Sequence, residues 1–208
     1  IMAKANKAMM IPDELVMNKI YLYSLESAQT VEVTDGWYTS SSPVFSPDGK
    51  YLFFQSNRDF NPTFSQTEFD QAYLDLERIY LVTLSKSVDS PFKPKSDETA
   101  QKEEKPKTDE PKEKKEGEKG DKKEVAVAVK VDADGLKSRI VGLPVQAASY
   151  RNLVAAGNAL YYIRQGSKDE KGQFFLYDLG ELKETNLGEV DGYEISADQK
   201  KMLVGKDR

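Results

Sequence analysis

Arg58 and Asp59 are the polar pair in this sequence with the most chemistry to offer: opposite charges side by side, closing the strand pattern Tyr51–Ser56 and preceding Phe60-Asn61-Pro62. Adjacent opposite charges at the end of a strand can orient the loop that follows through hydrogen bonds, or contact a polar ligand there. Arg58 and Asp59 are therefore the candidate substrate-binding residues. The residues that are missing narrow the chemistry further. With no His and no Cys in 208 residues, the chain holds no Ser–His or Cys–His couple, no disulfide, and no thiolate or imidazole metal site. No Asp/Glu pair stands apart from ordinary surface charge, so no catalytic residue, metal ligand or cofactor site is assigned.

The elements that would position the pair recur along the chain. Ser46-Pro47-Asp48-Gly49-Lys50 leads into Tyr51-Leu52-Phe53-Phe54, Ala156-Gly157-Asn158 into Ala159-Leu160-Tyr161-Tyr162-Ile163, and Ser196-Ala197-Asp198-Gln199-Lys200-Lys201 into Met202-Leu203-Val204. Each copy sets polar residues that tolerate positive φ before a short apolar and aromatic run, the signature of a tight hairpin. A second strand pattern returns as Ile20–Leu25, Ile79–Leu84 and Phe174–Leu179. Strands repeating in this way predict an all-β fold, a β-propeller.

Read in order, Ile1–Asn6 is the end of a strand already in progress, so the chain is expected to be a fragment of a longer polypeptide. Lys7–Asn18 reads as an insertion with one short helical turn at Pro12, Met9, Met10 and Met17 filling gaps between strands. One blade then runs Pro43–Ser46 innermost, Tyr51–Ser56 beside it, Arg78–Leu84 third and Arg139–Val145 outermost, with Trp37 as a packing aromatic. The segment between Arg58 and Tyr73 is longer than a hairpin requires, and the four-residue spacing of Phe60 with Phe64 and of Phe69 with Tyr73 predicts short helical turns that bury these rings against the blade. A second blade runs Tyr150–Val154, Leu160–Ile163, Gln173–Leu179 and Glu184–Val190, and a further one opens with Gly192–Ile195 and Lys201–Gly205. The count is two full four-stranded blades flanked by two partial ones, about half a ring whose open edges need the rest of the parent for stability.

Residues 93–124 break this pattern, with eleven Lys, eleven Asp or Glu, three Pro and no aromatic or branched aliphatic side chain. Such a composition cannot bury enough apolar surface to offset its ordering entropy and predicts a disordered insertion. The domain reading is propeller blades with loop insertions over 1–92, the charged insertion over 93–124, and blades continuing over 125–208. A formal net charge of -5 gives no basic field to neutralise phosphates, which argues against nucleic acid as a partner. No apolar run approaches the roughly 20 residues of a membrane-spanning helix.

Thr34-Asp35-Gly36-Trp37-Tyr38, Ser42-Pro43-Val44-Phe45-Ser46-Pro47-Asp48-Gly49-Lys50 and Arg58-Asp59-Phe60-Asn61-Pro62 together resemble the propeller region of tricorn-type serine peptidases. Tyr80–Leu84, Ser90-Pro91-Phe92, Asp132–Leu136, Leu143-Pro144-Val145 and Tyr150–Leu153 follow in the same order, so the resemblance covers nearly all of the chain except the charged insertion. It implies a seven-bladed propeller within a parent that also carries a six-bladed propeller, a PDZ module and a catalytic core cutting oligopeptides. The catalytic Ser and His would lie outside this chain, whose role is to filter or channel peptides. The implied partners are the rest of the parent polypeptide and peptides, with homo-oligomerisation as the family does it. The implied location is the cytoplasm, with periplasmic or secreted as the alternative. A scaffold resembling TolB-type propellers, holding a protein partner with no enzyme attached, is the alternative function.

Overall fold

A computed structural model describes residues 2–6, 17–60, 62–64, 71–93 and 129–206, with side chains left aside for 2–6, 63–64 and 71–72. Its fifteen strands run β1 Met2–Asn6, β2 Lys19–Tyr23, β3 Thr30–Glu32, β4 Ser40–Phe45, β5 Tyr51–Ser56, β6 Thr63–Phe64, β7 Gln71–Ala72, β8 Arg78–Thr83, β9 Ile140–Gly142, β10 Ser149–Ala156, β11 Ala159–Gln165, β12 Gln173–Asp178, β13 Lys183–Glu189, β14 Gly192–Ile195 and β15 Met202–Gly205. All pair antiparallel. Two four-stranded sheets, β4-β5-β8-β9 and β10-β11-β12-β13, stand between a three-stranded sheet β1-β2-β3 and a two-stranded one β14-β15, and β6-β7 form a small separate hairpin. This is the all-β propeller arc with two full blades and two partial ones.

The turns show why these sequences make hairpins. In the first, the Ser46 hydroxyl donates to Asp48 Oδ1 at 2.6 Å and accepts the Tyr51 N–H at 2.9 Å, while Asp48 Oδ1 also accepts the Lys50 N–H at 3.1 Å. The third copy repeats the network atom for atom through Ser196, Asp198, Lys200 and Lys201. Each needs one residue at positive φ, supplied by Gly49 (φ 68) in one and by Gln199 (φ 55) in the other. A side chain in that region costs about 1–2 kcal/mol. Gln199 offsets part of it by accepting the Gly157 N–H at 2.9 Å, which ties two neighbouring hairpins together.

Cores lie between blades rather than within them. Phe53, Ile79 and Leu81 face Leu160, Tyr162, Phe175 and Tyr177 of the next blade. Leu52, Phe54, Val82 and Leu84 face Ile20, Leu22 and Val33 of the preceding one. Ile163 and Phe174 meet Tyr193 of the next sheet. β5 is consequently buried on both faces, and each fully buried ring or aliphatic chain contributes about 1.5–3 kcal/mol. The first strand β10 touches both β4 and β14, the first strands on either side of it, which sets them towards the ring axis. β4 and β10 break register at matching places, between Ser41 and Val44 and between Arg151 and Val154, with Ser42 and Asn152 at positive φ. A bulge of this kind re-aims the side chains beside it.

The structure departs from the sequence reading in the long loop. Instead of helical turns, Thr63–Phe64 pairs with Gln71–Ala72 as strands, and Phe60 packs on Tyr73 at 5.6 Å, leaving Phe60 68% and Tyr73 50% exposed. The outer strand of the first full blade is shorter than expected at both ends: Arg139 belongs to a 3-10 turn over Leu136–Arg139, and β9 stops at Gly142, ahead of Pro144, which has no N–H to give a ladder. Trp37, expected to pack, is 80% exposed. Val129 and Val131 reach the apolar layer between the first two sheets without forming a strand. The helical turn at Pro12 and the charged insertion beyond Lys93 lie outside the described residues. Among the described residues no helix is long and apolar enough to cross a membrane.

Candidate functional site

Antiparallel alternation puts the loop after each second strand and the connection into each first strand at the same end of the ring. Arg58 and Asp59 lie there, and their side chains turn inward. Arg58 Nε donates to the Ser56 hydroxyl at 3.2 Å, and the guanidinium sits over the Tyr80, Tyr38 and Phe54 rings at 5.2, 5.8 and 5.8 Å. Ser56 Oγ lies 3.0 Å from Ser40 Oγ and donates to the Thr39 carbonyl, so the arginine closes a polar chain at the end of β5. Asp59 pairs with Arg78, and its N–H donates to the Leu76 carbonyl at 3.1 Å. The two residues thus clamp the neck of the loop. Beyond the neck, Asp75 accepts the Ser167 N–H and hydroxyl at 2.9 and 2.6 Å, fastening the loop to the next blade.

Glu77, which sequence reading passed over, joins the same two blades. Its backbone carbonyl accepts the Ala148 N–H, and its carboxylate accepts the Tyr150 N–H at 2.8 Å. Burial pushes this carboxyl above its ordinary range, and the Tyr150 N–H pulls the other way. A carboxyl raised by folding binds its proton more tightly in the folded chain. Its contribution to stability is complete below the unfolded value and is lost as pH rises through the folded one. Glu77→Gln keeps an oxygen for the Tyr150 N–H, and should remove that loss and stabilise the junction by about 1 kcal/mol at neutral pH. Hydrogen exchange at Tyr150, followed from pH 4 to 8 in the full-length parent, checks it: a variant with the same pH slope as the native chain counts against this account.

At the same end, between the second full blade and β14-β15, lies a cavity of about 260 Å³. Arg151, at the lip of the β10 bulge, reaches into it with Gln165, Gly172, Lys171, Glu189 and Lys206 around it. Gly172 is buried, and a Cβ there would stand 2.8 Å from Arg151 Nη2 and 2.7 Å from Ile163 Cγ2, so only glycine lets the guanidinium lie against this loop. The Tyr193 hydroxyl donates to the Asn152 carbonyl next to it, joining β10 to β14. Arg151 is invisible as a site in sequence because the cavity joins residues 55 positions apart. The Arg151-Asn152 bulge and the glycine at Gly172 were the signals available.

Among the described residues no group of three or more His, Cys, Asp or Glu could hold a metal ion. Nor do the clamped neck and the axial cavity hold a nucleophile beside a base, the chain having no His or Cys.

Residues 8–208 match the family model described as the tricorn protease second beta propeller domain. The tricorn protease homolog 1 of Streptomyces coelicolor is 32% identical over 92% of this chain, and the tricorn protease homolog of Saccharolobus solfataricus is 25% identical over 85%. The tricorn protease of Thermoplasma volcanium is 25% identical over 92%. The chain spans only 15–18% of the length of these relatives. A crystal structure of the tricorn protease superposes on 97% of this chain with a TM-score of 0.70 at 18% identity, covering 18% of that protein.

Proposed function

The chain belongs to the family of tricorn protease second β-propeller domains, and from that premise we propose that it is the non-catalytic propeller portion of a tricorn-like serine peptidase, filtering or channelling peptides to or from a catalytic core outside this chain. The observation that carries the reading is the character of the innermost strands. β4 and β14 each pack against β10, and the three strands expose Ser42, Ser149, Asn152 and Glu194, a polar wall along which a peptide backbone can pass.

The test uses the full-length parent with Ser149→Trp and Glu194→Trp, which add bulk at two exposed positions of innermost strands. Hydrolysis of a dodecapeptide, read as kcat/KM, should fall on the order of tenfold while a tripeptide reporter changes less than about twofold. Equal losses on both substrates would sink the reading.

A further inference from the structure

From Arg151 and its cavity we infer a carboxylate-anchoring subsite that holds the free C-terminal carboxylate of a peptide on this end of the ring. The inference rests on the reading that peptides pass along this propeller.

Arg151 has no hydrogen bond or ion pair with any described residue, although it is an innermost-strand residue beside the cavity. The bulge at Asn152 re-aims it, and Gly172 leaves room for Nη2 where any other residue would place a Cβ 2.8 Å away. A planar guanidinium with open donors suits a carboxylate, which it can meet with two parallel hydrogen bonds. Lys171 and Lys206 add positive charge around the same space.

The acids of the cavity set an upper limit on the ligand's charge. Glu189 Oε1 accepts from Gln173 Nε2 at 3.2 Å and Asp191 has an interaction of its own within the protein, and neither is paired with Arg151. Together with Glu170 they balance the three cations and leave no net positive field. With no net positive field, such a wall offers polyanions such as nucleotides or phosphorylated chains nothing beyond one guanidinium, which matches a single carboxylate. The site therefore reads the free end of a peptide, not its phosphate content.

The experiment titrates the full-length parent with acetyl-tetra-D-alanine, which resists cleavage, as the free acid and as the C-terminal amide. The acid should bind about tenfold more tightly than the amide, and Arg151→Gln should abolish the difference while leaving the amide unchanged. Arg151 is exposed, so the variant is expected to fold. Gly172→Ala, displacing the guanidinium, should reduce the preference in the same direction. Equal binding of acid and amide by the native protein overturns the inference, as does a preference that survives Arg151→Gln. Either result leaves the size-dependent hydrolysis test of the propeller untouched, so the two readings fail separately.

Discussion

Arg139→Met is expected to raise hydrogen exchange at Ile140–Gly142 on the order of a hundredfold in the full-length parent, a loss of about 3 kcal/mol of local stability. The charged insertion leaves the propeller between β8 and β9, and its two stems must be closed against each other for β9 to find β8. Asp132 begins the closure: its N–H donates to the Leu84 carbonyl at 2.9 Å, and its carboxylate accepts the Ser85 hydroxyl and the Lys86 N–H at 2.7 and 2.8 Å. Arg139 completes it. Its guanidinium donates to the carbonyls of Thr83, Leu84, Asp132 and Asp134, spanning both stems from one side chain. The exposed pair Lys86–Asp134 adds little beside it. Removing the guanidinium leaves four carbonyls without their common donor, and β9, held to β8 by only three residue pairs, loses its anchor. Arg139→Lys should recover less than half of the effect, because an ammonium cannot reach four acceptors set around a planar fork. Unchanged exchange in the Met variant, or full recovery by Lys, would show that the stems close without it.

The parts of this fold that were legible from sequence are those whose determinants are local. Ser46-Pro47-Asp48-Gly49-Lys50 carries its own hydrogen-bond network, so a turn and the two strands leaving it follow from six or seven residues, and the same holds at Ser196. The loop beyond Arg58 misled because aromatic spacing of four fits a helix in isolation. There the pairing of Thr63–Phe64 with Gln71–Ala72 and the contact of Phe60 with Tyr73 across 13 positions decide the backbone instead. Trp37 misled for a related reason: its N–H bonds to Asp35 Oδ1 at 3.2 Å in a tight connection that leaves the ring outward, which hydrophobicity alone does not reveal. Arg139, Glu77 and Arg151 were passed over as site residues because their partners lie 55, 73 and 21 positions away, at Thr83-Leu84, Tyr150 and Gly172. The role of such charged residues shows only when segments distant in sequence are brought together, within a blade for Arg139 and Arg151 and between blades for Glu77.

The same logic gives the second large effect, at the junction of the two full blades. Arg164 Nη1 donates to both carboxylate oxygens of Glu184, at 2.8 and 2.9 Å, reaching across β12 to β13, while its guanidinium carbon lies 4.0 Å from the centre of the Phe175 ring. The Tyr162 hydroxyl donates to Glu184 Oε1 at 2.5 Å, and burial, then the carboxylate it serves, pushes that hydroxyl far above the ordinary tyrosine range. Tyr150 packs edge-on against Tyr162, which stacks on Phe175, so the charged pair caps the aromatic layer between the blades. With 13% and 24% of the two side chains exposed, solvent compensates little for a missing partner. Glu184→Gln is therefore expected to cost about 3 kcal/mol, since it leaves Arg164 as an uncompensated, largely buried charge. Arg164→Met should cost a similar amount by orphaning the carboxylate. The double variant Arg164→Met, Glu184→Leu should be far less damaging than the two single losses added together, because both desolvation penalties disappear with both charges. Hydrogen exchange of the β11 and β12 amides in the full-length parent measures all three. Additive losses in the cycle would mean that the pair is incidental and that the aromatic layer alone holds the blades together.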